Sequence, residues 1–336
     1  MGKCKIHIFY KFTDGPWGGG NQFLKALRNS FISLGVWEEI PENADVILFN
    51  SHSFLDLKTI SRLFRLLCSK KPRALVHRID GPVFCVRGKD FALDKLIFEF
   101  NGFLADGTVF QSKWSQSECV RLGFKPRGTE TVIANAPDGG IFYPRVDHPP
   151  ITGRKVRIIA TSWSPNIRKG FSFYQYLDEH LDHTRYEMTF IGNSPIRFQH
   201  IHYVPPQSSE ILAQLLREHD LFITASQNDP CSNSLLEAVG CGLPVVALNS
   251  GGHPELIGDG GRLFNDTSDI LAAIDVVSAN LEQYRANILK TSMNSVSEAY
   301  YRYCCGISSA TTRRLPVFVF ARMLFGVLFY RLRNIL

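Results

Sequence analysis

Two α/β domains, each a doubly wound and mainly parallel sheet, facing each other across a cleft, are the fold the sequence predicts. Three observations carry the prediction. Short β-branched or aromatic runs alternate with longer helical stretches almost from the first residue. The length of 336 residues suits two domains. A break containing Pro144, Asp147, Pro149, Pro150 and Gly153 precedes a restart of the same cycle. The boundaries read as 1–148 and 149–305, with an apolar, basic tail over 306–336.

In the first domain, strands are expected over 5–10, 45–49, 74–79, 108–111 and 131–136, with helices over 21–33, 55–68 and 114–122. In the second, strands are expected over 155–161, 186–192, 221–226 and 244–248, and helices over 170–181, 208–217 and 232–240. Strand followed by helix, repeated, builds parallel sheets through right-handed crossovers. Ligands of such sheets bind beyond the carboxyl ends of the strands, so the informative residues are those just after each strand.

Composition excludes several classes. Hydrophobic residues make up 45% and charged residues 20%, ordinary for a globular chain and not for a disordered or collagenous one. The net charge of +6 is concentrated at the end, where Arg313, Arg314, Arg322, Arg331 and Arg333 occur with no acid. A nearly neutral body with a cationic tail is not built to coat nucleic acid. The eight cysteines form no Cys-x-x-Cys and no zinc spacing, and no signal-peptide core opens the chain, so reduced thiols in the cytoplasm are expected.

The richest stretch runs from Ala225 to Glu255. Asp229 leaves the end of a strand, and Ser232, Asn233 and Ser234 open a helix whose first free N–H groups make an anion site. Glu237 follows Asp229 by eight residues, and a carboxylate can grip two adjacent hydroxyls at once. Taken alone, Asp229 reads equally as a cap or turn residue and Glu237 as a solvated helix residue. Arg168 and Lys169, ahead of Gly170, sit at a helix N-terminus, a poor place for cations unless an anion shares it. In the first domain Gly18, Gly19 and Gly20 precede Asn21, with Phe23 where a dinucleotide fingerprint needs its third glycine. His77, Arg78 and Asp80 end another strand, and His77 there reads equally as a structural hydrogen-bonder and as a catalytic group.

The order of Asp229, Glu237-Ala238, Gly242-Leu-Pro-Val-Val246 and Gly251-Gly-His-Pro-Glu255 resembles the donor-site signature of retaining glycosyltransferases of the GT-B fold, family 4. The family's first acid is usually Glu, where Asp229 is one methylene shorter, and its usual Arg stands at Ser164, leaving Arg168 as the second cation. The resemblance implies that Lys169 and Arg168 neutralise a nucleotide diphosphate, that Asp229 holds the donor sugar and Glu237 the ribose. It implies further that Asn233, Ser234, Gly252 and His253 line the donor site, and that Gly19, Gly20 and Asn21 approach phosphate or acceptor. His77 corresponds to a family His near the reacting centre, with Asp80 beside it. The segments Asn135-Ala-Pro-Asp138 and Phe142-x-Pro144 resemble a structural junction. The resemblance covers the second domain, touches the first thinly and fades after about Gly261.

The expected activity is transfer of a sugar from a nucleotide-diphosphate sugar to a hydroxyl acceptor, a glycan or a lipid-linked one, in surface polysaccharide synthesis. No cofactor beyond that co-substrate is expected, and no metal, since the sequence lacks an Asp-x-Asp. An epimerase or hydrolase of the same fold and a non-catalytic nucleotide-sugar-binding protein are the alternatives. The tail, through residues 313–333, reads as a helix packed on the body and as an interfacial contact with the inner face of a membrane, two compatible readings, with a peripheral span as the third.

Overall fold

The structure, a computed structural model, describes residues 2–15, 18–51, 56–69, 71–147, 152–308 and 317–333. Trp17, Pro149, Pro150, Arg313 and Arg314 lie outside the described residues. The chain forms two compact units, one of residues 1–12, 24–134 and 294–336, the other of 13–23 and 135–293.

The first unit is built on β1 (Ile6–Phe9), α1 (Gly19–Ser33), β2 (Val46–Asn50), α2 (Leu57–Leu67), β3 (Ala74–Ile79), α3 (Val83–Arg87), α4 (Phe91–Leu104), β4 (Gly107–Phe110), α5 (Lys113–Arg121) and β5 (Thr129–Val132). The five strands pair in parallel in the order β1-β2-β3-β4-β5. Trp37 makes a parallel bridge to Ile6. The chain therefore leaves β1 through α1 to one side and returns at β2 on the other, the reversal that defines double winding. Alternation along the buried strands divides two apolar layers. Ile47 and Phe49 join Ile60, Leu63, Phe64, Ile97 and Phe100 in one core with Met323 and Val327.

The second unit contains β6 (Val156–Ser162), α6 (Phe171–His180), β7 (Tyr186–Gly192), β8 (His202–Val204), α7 (Ser209–Glu218), β9 (Leu221–Thr224), α8 (Asn233–Gly240), β10 (Val245–Leu248), α9 (His253–Ile257), β11 (Gly261–Phe264), α10 (Ile270–Ala279) and α11 (Leu281–Ala286). Its six parallel strands run β11-β10-β9-β6-β7-β8, so the strand order reverses between β6 and β9. Side chains after those two strands meet at this switch point.

The sequence reading assigns 149–305 to the second domain and sets 306–336 apart, whereas the structure returns the chain to the first unit at 294. There α12 (Met293–Ser308) and α13 (Val317–Arg333) complete it. The Tyr303 hydroxyl accepts from the Thr108 N–H at 2.9 Å, and Ser30 on α1 bonds Ser297 on α12 at 2.7 Å. Both helices are remote in sequence from the strands they cover, which hides the association from local pattern. The reading also lacks α4, whose buried Leu93, Ile97, Phe98, Phe100 and Leu104 leave too little polar surface for a clear helical stripe.

Removing the α13 anchor in Met323→Ala is expected to destabilise the first unit by about 2–5 kcal/mol. A urea unfolding midpoint equal to that of the native chain would show that α13 does not pack there.

Candidate functional site

The loops after β6 and β9 build the polar centre of the second unit. A single 3-10 turn over Ile167–Lys169 follows β6, with the Asn166 side chain accepting from the Arg168 N–H at 2.9 Å. Gly170 then takes φ +84°, and a Cβ there would stand 2.2 Å from the Ala225 carbonyl oxygen. Only glycine lets the first loop close onto the second. The Arg168 carbonyl accepts from the Gln227 N–H at 2.7 Å, tying the two loops together. Gly251, at φ +64°, repeats the device: its Cβ would lie 2.3 Å from the Asp229 carbonyl oxygen. Gly252 donates its N–H to that oxygen at 2.8 Å.

These approaches put Lys169 and Asp229, 60 residues apart, in an ion pair of 2.9 Å. The Lys169 ammonium also donates to the Ser226 hydroxyl at 3.2 Å, and that hydroxyl donates to Asp229 at 3.3 Å. Burial raises the Asp229 carboxyl, but the Lys169 ammonium, with a smaller contribution from His253, outweighs it and holds Asp229 below the usual carboxylate range. His253 is fully buried. Its Nδ1 meets the Leu248 carbonyl at 2.9 Å, and its Nε2 has no hydrogen-bond partner among the described residues. Burial lowers the His253 pKa, against the pull of Asp229.

Ser232 caps α8, accepting from the Leu235 N–H at 3.4 Å, and its hydroxyl meets that of Ser234 at 3.1 Å. Asn233 is oriented by Asn135, whose amide donates to it at 2.9 Å. Gly19 lies against Asn233 so closely that an added Cβ would stand 2.5 Å from the asparagine Cβ, while Gly20 faces open space. Glu237, one turn into α8, keeps partial solvent contact, and its side chain makes no hydrogen bond or ion pair among the described residues. The protein around it pushes its carboxyl up to about 8. Protonated at neutral pH, it can donate a hydrogen bond as well as accept one. Arg168 is half-buried on the Lys169 turn. Ser164, where the resemblance expects a cation, accepts from the Asn166 N–H at 3.2 Å and shapes that turn.

Three expected site residues are committed elsewhere. His77 is fully buried between Phe49 and Phe100. Asn101 donates to its Nδ1 at 3.2 Å, leaving Nε2–H to donate to Ser51 at 2.9 Å. Burial alone lowers its pKa to about 3, so the ring is neutral and hydrogen-bonded within the core. Asn21 exchanges two hydrogen bonds with Thr13, at 2.9 and 3.0 Å, which close its own loop. Asp80 pairs with fully buried Arg78 at 2.5 Å and accepts from Asn50 and Gln111, both at 3.2 Å, which makes it the counter-ion of a buried guanidinium. The sequence reading passes over Ser226 and takes Asn135 as structural, although each orients a side chain of the site. No spacing rule marks either residue. Among the described residues no group of three His, Cys, Asp or Glu side chains is placed to hold a metal ion.

Comparison with known proteins gives the fold its class. Residues 165–280 match the family model described as "Glycosyl transferases group 1". The chain superposes on sucrose-phosphate synthase from Thermosynechococcus elongatus with a TM-score of 0.64 and 14% identity, covering 91% of this chain and 97% of that one. On Anabaena HepE in complex with UDP-glucose the TM-score is 0.62 at 13% identity, covering 96% and 99%. The fold is GT-B, two parallel-sheet α/β domains. In sequence the chain is similar to D-inositol 3-phosphate glycosyltransferases, 33% identical over 94 residues in Actinosynnema mirum and 34% over 98 residues in Mycolicibacterium smegmatis. Those matches cover 26% and 29% of this chain, and the chain spans only 22% of the length of each relative.

A carboxyl raised by folding favours the folded state below its unfolded pKa of about 4.3 and loses that contribution as pH rises through the folded value. Glu237→Gln is therefore expected to match the native melting temperature near pH 4 and to exceed it near pH 8.5. A constant difference between the two pH values would disprove the shift. In Gly251→Ala the added methyl meets the Asp229 backbone at positive φ, so a loss of at least ~1 kcal/mol is expected in thermal melts. A variant as stable as the native chain would show that the two loops can part.

Proposed function

We propose that the protein is a glycosyltransferase that moves a sugar, a hexose, from a nucleoside diphosphate sugar to a hydroxyl acceptor with retention of anomeric configuration. The observation that carries this reading is the Lys169–Asp229–Ser226 cluster at the strand-order reversal, beside the start of α8. A lysine held by one carboxylate is poised to exchange part of that pairing for a phosphate oxygen, and the free N–H groups of α8 favour the same anion. The group 1 match over 165–280 spans this cluster. UDP-glucose, the ligand named for HepE, heads the donors to be tried.

In the reaction proposed, the bond between the anomeric carbon and the diphosphate oxygen breaks and the diphosphate takes the electron pair. Lys169 and Arg168 stabilise that developing charge, and no resident metal is invoked. The acceptor oxygen attacks the oxocarbenium-like carbon from the face the diphosphate leaves, and its proton passes to the departing phosphate oxygen. Asp229 holds donor-sugar hydroxyls, and Glu237, as the neutral acid, bonds the ribose. A glycan or lipid-linked acceptor in surface polysaccharide synthesis, handled in the cytoplasm, is the setting we propose.

A thermal-shift screen of nucleoside diphosphates and their sugars tests the donor site. A ligand at a hundred times its Kd should add about 2.7 kcal/mol of stability. Lys169→Ala is expected to cut nucleoside diphosphate release by roughly 10²–10³. No stabilisation by any nucleotide, or unchanged turnover in the variant, would overturn the reading. Release of free sugar without acceptor would make the protein a hydrolase.

A further inference from the structure

On α13, positions 323, 326, 327 and 330 form one helical stripe and 325, 328, 329 and 332 form another. The first is the inner stripe. Met323 and Val327 are 1% and 0% exposed, Gly326 lies so close to Leu96 of α4 that a Cβ would stand 2.7 Å from its side chain, and Tyr330 packs on the same core. The helix is thereby locked against α2 and α4, and its other face is fixed outward. That outer face is apolar: Phe325 and Phe329 are each 70% exposed, Leu332 62% and Leu328 37%. Among the described side chains of α13 the remaining exposed positions are Ala321, Arg322 and Arg331, none of them an acid or an uncharged polar residue.

A helix that buries one side and shows water a continuous apolar ridge on the other leaves a cost that solvent does not relieve. The charge around the ridge indicates what relieves it. No acid follows Glu298 in the sequence, and Arg331, exposed on α13, puts a cation beside the ridge. Arg322 instead pairs with Glu99 of α4 at 3.2 Å. The neighbouring α2 has no acid within Leu57–Leu67 and exposes Lys58, Arg62 and Arg65. Aromatic and aliphatic side chains beside the exposed cations Arg331, Lys58, Arg62 and Arg65 fit the boundary between the acyl chains and the headgroups of an anionic bilayer. Among the described residues no helix is long and apolar enough to cross a membrane, so the fitting mode is lying on the surface.

We infer that the outer face of α13, with the exposed cations of α2, docks the protein on an anionic lipid bilayer. This holds independently of what the donor site transfers. It narrows the two readings of the tail to one arrangement, in which the inner stripe packs on the body and the outer stripe meets lipid.

The test is co-sedimentation of the full chain with vesicles of phosphatidylcholine alone and with about 30% phosphatidylglycerol, at about 0.1 and 0.5 M salt. Binding to the anionic vesicles at low salt is expected, weaker by at least ~10-fold on neutral vesicles and weakened by salt. The double substitution Phe325→Ser with Phe329→Ser, at two exposed positions, is expected to reduce binding at least ~10-fold while keeping the native melting temperature. Absence of binding to anionic vesicles overturns the inference, as does equal binding by the double variant. Light scattering supplies a further arm: a native dimer that the double variant renders monomeric, without vesicle binding, would make this face a contact between two copies of the chain.

Discussion

The ion pair between Lys169 and Asp229 is the constraint around which the second unit is arranged. Two charges largely withdrawn from water lose hydration, and attraction alone compensates only when the geometry is close and the remaining lone pairs are used. Here the separation is 2.9 Å, Ser226 bonds both partners, and the Cys231 N–H donates to the free Asp229 oxygen at 3.3 Å. The loops can approach this far because Gly170 and Gly251 carry no Cβ where one would overlap a carbonyl. The sheet topology supplies the rest. β6 and β9 are neighbours only because the strand order reverses there, so the loops leaving them are brought side by side.

The first unit uses buried polarity for a different end. Its central strands carry His77 and Arg78 with no exposure at all, yet each is answered. Asn101 and Ser51 take the two imidazole nitrogens, and Asp80 takes the guanidinium. Uncharged, satisfied and flanked by Phe49 and Phe100, the imidazole behaves as a packing element with two directed bonds. The chemistry proposed for this protein therefore rests on the loops of the second unit, where cation, carboxylate, helix start and a protonatable Glu237 converge.

Much of this was legible in the sequence. Alternating strand and helix periods located nine of the eleven strands among the described residues; the two missed, β8 and β11, are short and half-exposed, and neither shows a clean period. The Asp229-to-Glu255 stretch places its acids, helix start and glycine loop by local spacing, because each is set by a turn or cap within a few residues. Asn21 and His77 show one limit of local pattern. A polar residue after or within a strand looks the same in sequence whether it faces a ligand or a neighbour, and only its partners, Thr13 in one case and Asn101 with Ser51 in the other, decide.

By itself the sequence determined the fold class, the order of elements and the segment that carries the donor-type signature, since hydrophobic period, caps and turn glycines act over a few residues. The tertiary structure alone decided which distant groups share charge. It paired Lys169 with Asp229 across 60 residues, set Gly19 against Asn233, and oriented Asn233 through Asn135. It also withdrew His77 into a core and divided α13 into a packed stripe and an apolar outer one. Such outcomes depend on burial and on close approach between segments that no local period connects, and both exist only once the sheets have formed.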